Sequence, residues 1–342
     1  MAVVTGTGPG FAGCPAVREA VVVRVDFGAC RLLTAEGVFV DATVRGRLMG
    51  ARKALGNAVV VGDRVTYELE RERAAVTAVA PRRNLFSRRA AGDSPAEQVV
   101  AANLDQVVLV ASLVEPEFSY GLADRVLAQA EHAGIPARLV LNKADLGEPA
   151  AAAAILADYA RAGHPGHAVS AKTGTGVPGL RHACRGRRSL FVGHSGVGKS
   201  TLLNAMVPGL DLLARQVNPK TGRGRHTTSA AWLLLPEPDL ELIDTPGVRA
   251  FGLWGIGPRD LEQTYTEFRR FLGQCRFPDC RHDSEPDCAV RAAVATGEIA
   301  ARRHDSFLKL RGELEQESGP TRLRRTMLRK VPPASRAERG RS

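Results

Sequence analysis

The chain has 342 residues, 44% hydrophobic and 24% charged, which is enough apolar material for more than one core and excludes a wholly disordered chain. Its 47 basic and 36 acidic residues give a net charge of +11. No apolar run approaches the length of a membrane span, and the first sixteen residues carry no charged side chain, so neither a membrane protein nor a basic-headed secretory signal is expected.

Residues 1–16 are rich in Gly, Thr and Pro and read as a mobile extension. From Val17 to Pro81, short apolar runs are broken by Gly, Asp and Asn. Five strands are predicted there, at Ala20–Val25, Ala29–Thr34, Val38–Val44, Arg64–Leu69 and Ala74–Ala80. That density suits a small barrel of OB type, whose loops commonly contact nucleic acid. A basic loop with Arg45, Arg47, Arg52 and Lys53 would hang from it. Aromatics are few (Phe27, Phe39, Tyr67), which favours reading of phosphate or shape in folded RNA over base stacking.

An Arg-rich connector, Arg82 to Gln98 with Arg83, Arg88 and Arg89, leads into a different texture. A buried strand is expected within Leu104–Val114, then a helix at Leu122–Ala133, a strand at Ala137–Leu141 and a helix at Pro149–Arg161. A strand at Ala168–Val169, a short helix, a strand at Ser189–Val192 and a helix at Lys199–Val207 follow. This alternation predicts an α/β domain over 87–255 with a parallel sheet covered on both faces. Trp232–Leu235 and Leu240–Ile243 read as a hairpin on its edge. Residues 256–317 read as an α-helical module around a cysteine cluster, helical from Ala289 to Gln316. Residues 318–342 form a basic tail: from Gly319 onward, eight basic residues face Glu338 alone. Such charge suits a polyanion or, more simply, a solvated tail.

The chemistry begins at Gly193-His194-Ser195-Gly196-Val197-Gly198-Lys199-Ser200, followed by Thr201, between an apolar strand and a helix. Glycines at 193, 196 and 198 let backbone N–H groups converge on phosphate oxygens, and the helix N-terminus adds its dipole. Lys199 would reach the β- and γ-phosphates and Ser200 would ligate Mg²⁺. Asn142-Lys143-Ala144-Asp145 names the base. The Asp145 carboxylate accepts from guanine N1–H and the exocyclic amine, a donor pair that adenine lacks. Ser170-Ala171-Lys172, at another strand end, would turn a backbone N–H toward guanine O6. Asp244-Thr-Pro-Gly247 would hold Mg²⁺ through water and sense the γ-phosphate with the Gly247 N–H. One of Thr227 and Thr228, in Thr221-Gly-Arg-Gly-Arg-His-Thr-Thr228, would complete the metal shell. The guanine motifs precede the phosphate loop, so the usual cyclic order of a GTPase is kept with a displaced cut point. This is a circular permutation.

Cys275-x4-Cys280-x-His282-x5-Cys288 offers three thiolates and an imidazole, a closed tetrahedral set for one structural Zn²⁺ per chain. Cys14, Cys30 and Cys184 are scattered and make no disulfide framework.

Together, a permuted GTPase between an OB-like barrel and a Cys3His module resembles the RsgA (YjeQ) family of ribosome-biogenesis GTPases, over about Val17 to Glu315. Matching stretches include Val61-Gly-Asp-Arg-Val65, Ala102-Asn-Leu-Asp-Gln106, Asp124-Arg125 and Gly224-Arg-His-Thr-Thr228, besides the motifs above. The resemblance implies a cytoplasmic factor that binds the small ribosomal subunit and its rRNA late in assembly, with GTP hydrolysis to GDP stimulated by that subunit. It also supports His226 as the residue that orients or deprotonates the attacking water. The position after Gly247, often a Gln in GTPases, is Val248, which cannot do so. Arg223 and Arg225 are alternatives as an internal arginine finger or as rRNA contacts, and His226 itself could instead face RNA. Two other readings stay open: a nucleotide-stabilised RNA-binding assembly factor with little turnover, and a related permuted GTPase acting on another RNA. A monomer is expected.

Overall fold

The computed structural model describes residues 18–26, 29–45, 48, 58–70, 73–90, 96–210, 231–248 and 250–318. The extension 1–16, Arg47, Arg52, Lys53, the segment holding Arg223, Arg225, His226, Thr227 and Thr228, and the basic tail from Gly319 lie outside the described residues. Two compact units appear, Met1–Trp254 and Gly255–Ser342. Among the described residues no helix is long and apolar enough to cross a membrane.

The first unit opens with β1 (Arg18–Asp26), β2 (Ala29–Thr34), β3 (Phe39–Val44), β4 (Arg64–Glu70) and β5 (Arg73–Val79). They run in the order β1-β2-β3-β5-β4, and β4 closes back on β1. Only the β3–β5 pairing is parallel. Alternation places Val22, Leu32, Val65, Tyr67 and Val76 in the barrel interior. The resulting five-strand barrel leaves no free edge among its own strands.

The segment expected as a connector is instead a hairpin of β6 (Leu85–Arg89) and β7 (Glu97–Ala102). Its apolar residues explain the difference: Phe86 is fully buried, 5.7 Å from Phe251 between ring centroids, and Val99, Ala101 and Ala102 are buried with it. The arginine count alone concealed that core-facing row.

The sheet of the α/β region comprises β8 (Gln106–Ser112), β9 (Ala137–Asn142), β10 (Gly166–Ala168), β11 (Arg187–Gly193), β12 (Trp232–Glu237) and β13 (Leu240–Asp244). Its order is β10-β9-β8-β11-β13-β12; the first five pair in parallel and β12 is antiparallel. The expected edge hairpin is not a free edge, because Arg24 of β1 pairs with Trp232 and stacks its guanidinium over that ring at 4.5 Å. On one face lie α1 (Tyr120–His132) and α2 (Pro149–Arg161), on the other α3 (Val177–Cys184) and α4 (Lys199–Met206). Helix α1 shows why such a segment is helical here. Ser119 caps it by accepting from the Leu122 N–H, and Ala123, Val126, Leu127 and Ala130 form one buried stripe. Burying each large aliphatic side chain of such a stripe contributes roughly 1.5–3 kcal/mol.

Barrel and sheet meet at Gly62. Its N–H donates to Val22 O, and the Ala102 N–H donates to Val61 O. Asn103 Nδ2 and Arg188 Nη1 both donate to Gly62 O at 2.9 Å. Beside it, the fully buried Asp63 carboxylate takes a two-pronged contact from Arg82 at 2.7 and 2.8 Å and accepts from the Val60 N–H. A Cβ at Gly62, whose φ is +91°, would meet Ala102 O at 2.3 Å. Gly62→Ala is therefore expected to destabilise this unit by about 2–3 kcal/mol, combining left-handed strain with a backbone clash. An unchanged urea midpoint would refute that account of the junction.

The second unit contains α5 (Leu261–Thr264), a 3₁₀ turn (Thr266–Phe268), α6 (Ala289–Ala295) and α7 (Ala301–Ser318). The helical stretch expected over Ala289–Gln316 is two helices, parted at Gly297, where φ is +79° and the N–H donates back to Val294 O. A left-handed glycine ends the first helix and lets the second start afresh. Tyr265, Phe268 and Phe307 pack mutually at 4.9–5.3 Å and are fully buried. Arg303 and Glu267 form a buried pair at 2.7 Å.

Candidate nucleotide site and metal cluster

The phosphate loop leaves the end of β11, as the parallel-sheet rule for ligand clefts requires. Gly196 and Gly198 have φ of +88° and +83°, and Gly198 is the residue from which α4 starts. A Cβ at Gly198 would come within 2.6 Å of Asn142 Nδ2, so only glycine fits. The Asn142 side chain is the centre of the arrangement. Its amide donates to Val197 O at 2.9 Å in the phosphate loop, while its Oδ1 accepts the Ala171 N–H at 3.1 Å. One buried amide thus holds three motifs together: its own, the glycine loop and Ser170-Ala171-Lys172.

Around that centre Lys143 adopts a left-handed φ of 60° and its ammonium bonds Glu115 O. The Ala144 N–H donates to Val169 O, fixing the turn that presents Asp145. The Ser170 hydroxyl hydrogen-bonds Asp145 and holds its carboxyl below the ordinary range, with Lys172 and Lys143 adding to the effect. Asp145 is therefore ionised and acceptor-only. The Ser170 N–H is used by Thr175 O and the Ala171 N–H by Asn142, while the Lys172 N–H has no protein partner among the described residues.

The Asp244 loop packs directly on the phosphate loop. The Val248 N–H donates to Gly193 O at 3.0 Å, and His194 and Val248 form a parallel bridge. A Cβ at Gly247 would lie 2.9 Å from Ser195 Cα, so the glycine permits that approach. Val248 is buried in the core beside Phe251, so its side chain takes no part in the chemistry. The Lys199 ammonium pairs with Asp244, and both are almost wholly buried. Each neutralises the other in a low-dielectric site, and each would exchange that partner for a triphosphate and its cation. Ser200 and Thr201 follow in the first turn of α4, and the His194 ring contacts Ser195 O at 2.6 Å. His226, Thr227 and Thr228 lie outside the described residues.

In the second unit Cys275, Cys280, His282 and Cys288 bring one ligand atom each within 4.8 Å of the others. His282 Nδ1 is 3.6 Å from Cys275 Sγ and 3.4 Å from Cys288 Sγ, and the two sulfurs are 3.9 Å apart. Tetrahedral Zn²⁺ with bonds of about 2.3 Å to sulfur has edges near 3.8 Å, so the spacing fits zinc. Burial pushes the Cys280 thiol up to about 12 and also raises Cys288, so a metal must displace those protons. His282 turns its other nitrogen, Nε2, to Glu262 at 3.2 Å, and its carbonyl accepts from His304 at 2.6 Å. Glu262 is placed as the carboxylate that would orient His282 if that imidazole held a metal. It lies twenty residues before His282, outside any ligand spacing, and sequence reasoning missed it.

The RsgA GTPase family model matches residues 79–254. A Gemmatimonas aurantiaca protein named small ribosomal subunit biogenesis GTPase RsgA is 43% identical over 302 residues, covering 86% of this chain and 96% of its own length. A Bacteroides fragilis protein of the same name is 36% identical over 289 residues, covering 83% and 93%. The crystal structure of YjeQ from Thermotoga maritima matches with a TM-score of 0.69 and 32% identity, over 87% of this chain and 99% of that one. YloQ, described as a circularly permuted GTPase, matches with a TM-score of 0.65 over 89% and 97%, and at 24% identity it speaks to fold alone.

Proposed function

Since this chain belongs to the RsgA GTPase family, we propose that it acts, as its relatives are named, in biogenesis of the small ribosomal subunit, hydrolysing GTP to GDP on that subunit and coupling hydrolysis to release. It is a GTP-hydrolysing enzyme of the permuted type. The observation that carries the nucleotide assignment is the Asn142 amide, which bridges the phosphate loop and the guanine loop at 2.9 and 3.1 Å.

In this reading Asp145 and the Lys172 N–H select guanine. The glycine loop and Lys199 hold the β- and γ-phosphates, and Ser200, Asp244 and one of Thr227 and Thr228 hold Mg²⁺. The bound cation supplies charge neutralisation at the transferring phosphoryl group. Gly247 donates its N–H to the γ-phosphate, and His226 orients the water. The Lys199–Asp244 pair favours a true switch over a nucleotide site that only stabilises the fold, because structural binding alone does not need that buried charge apparatus. The Cys3His cluster takes one zinc and has a structural role. The surplus positive charge, concentrated in the tail, suits rRNA phosphates.

His226→Ala tests the catalytic assignment. GTP affinity is expected to stay within about twofold, while subunit-stimulated turnover falls roughly 10²–10⁴-fold, the usual worth of a positioned acid–base group. Turnover at the parental rate would remove His226 from the mechanism and bring Arg223 and Arg225 forward.

A further inference from the structure

The starts of the same parallel strands, at the opposite edge of the sheet from the phosphate loop, carry a second polar cluster. Arg138 of β9, Gln106 of β8, His167 of β10 and Ser189 of β11 occupy neighbouring strands in register with the face that packs on α3. On that face Val108, Val140 and Phe191 continue as apolar core, so the polar row is confined to one end. It is joined by hydrogen bonds. Arg138 Nη1 donates to His167 Nε2 at 2.8 Å and Arg138 Nε reaches Gln106 Oε1 at 3.4 Å. Gln106 Nε2 donates to Ser189 Oγ at 2.9 Å and to Ala183 O at 3.0 Å. Two members of this row, Arg138 and Gln106, line a cleft of about 470 Å³ together with Arg187 and Pro165; His167 touches it through Arg138.

The charge balance of the cleft is incomplete. Arg138 is half-buried, and its described neighbours are a neutral imidazole, a neutral amide, the Cys184 thiol and a second cation, Arg187. Burial and the adjacent guanidinium lower the His167 basicity, consistent with Nε2 accepting rather than donating. Burial raises the Cys184 thiol, which therefore brings no countercharge. Two acids line the cleft, but Asp105 is committed to Arg83 at 2.6 Å and to the Arg188 N–H at 2.8 Å. Glu131 is the other, and neither it nor Asp105 pairs with Arg138 or Arg187 among the described residues. Arg187 spends one donor on Ala183 O. Desolvating a cation without a partner is unfavourable, and a guanidinium pair with unused donors matches the planar or forked oxygens of a phosphate.

We propose that this cleft is a second anion site, binding a small phosphate-bearing molecule between Arg138 and Arg187, with Gln106 and His167 fixing the Arg138 guanidinium. It is separate from the GTP site: six residue steps along β11, from Arg187 to Gly193, put about 20 Å between them. The cleft volume lies within the range of small-molecule sites and is far below what a nucleic-acid duplex needs.

The test uses the full chain loaded with GDP and Mg²⁺, so that the phosphate loop is filled, titrated with inorganic phosphate and followed by the ring-proton NMR signal of His167. A saturable shift is expected, reduced at least tenfold in affinity by Arg138→Gln and by Arg187→Gln, with GDP affinity unchanged in both. Arg187 is exposed, so its variant remains informative if Arg138→Gln does not fold. No shift of His167, or a shift that persists undiminished in Arg187→Gln, would overturn the proposal. If single-stranded RNA moved the His167 signal while phosphate and a sugar phosphate did not, the site would be an RNA contact and the small-ligand assignment would be wrong.

Discussion

Asp145→Asn is expected to lower GTP affinity by about 10²–10⁴-fold and to create affinity for xanthosine triphosphate. The sign follows from the hydrogen-bond inventory. Ionised Asp145 presents two acceptors, matching the N1–H and amine of guanine, and its ionisation is secured by the Ser170 hydroxyl. Asparagine presents one acceptor and one donor, which suits the N1–H and carbonyl oxygen of xanthine and opposes the guanine amine. Fold should not change, because Asp145 is exposed and the turn is held by the Ala144 N–H to Val169 O and by the Asn142 amide. Equilibrium binding of the two nucleotides to both proteins checks it. A variant that still preferred GTP would mean that Asp145 does not read the base.

Cys288→Ser, or chelation of the parent, is expected to remove one zinc per chain and to melt the ligand segment. Residues 274–288 contain no helix or strand, and Phe277, its large apolar group, is 40% exposed. Few internal backbone bonds hold it, among them Arg276 N–H to Asp287 O and Cys280 N–H to Phe277 O. Zinc binding in small Cys/His modules contributes about 10–16 kcal/mol of folding free energy, far more than those contacts. The Tyr265–Phe268–Phe307 cluster should survive, since its packing is apolar. Hydrogen exchange would show the pattern: protection lost over 274–288, and retained in the Thr266–Phe268 turn and in α7. Full protection after chelation would mean that the loop holds itself. Guanine binding in Met1–Trp254 should be indifferent to the metal.

Local chemistry made much of this legible in advance. The glycine-rich loop, the segments 142–145 and 170–172 and the Cys3His set each need particular residue types at short spacing, so each stands out in the sequence, and their order reads as a permutation. Strands with two-faced burial, such as β8 and β11, were equally plain because continuous apolar runs have few other uses. What stayed hidden depended on long-range neighbours. The β6–β7 hairpin was masked by its arginines, while the burial of Phe86 depends on Phe251, far along the chain. Glu262 gives no motif at all; its role appears only when its oxygen is found 3.2 Å from His282. The bond from Asn142 to Val197 joins two motifs fifty-five residues apart, and no spacing rule predicts which amide will bridge them. Gly297 was visible as a residue, but its left-handed φ decides that the helical stretch from Ala289 to Gln316 divides into two helices.

The most direct test of the central claim is GTP hydrolysis by the purified protein, with and without small ribosomal subunits, at two salt concentrations. The account predicts slow turnover alone, strong stimulation by the subunit, and stimulation that falls as salt rises because docking releases counterions from rRNA phosphates. Tight GTP binding with no stimulation at either salt concentration would contradict it.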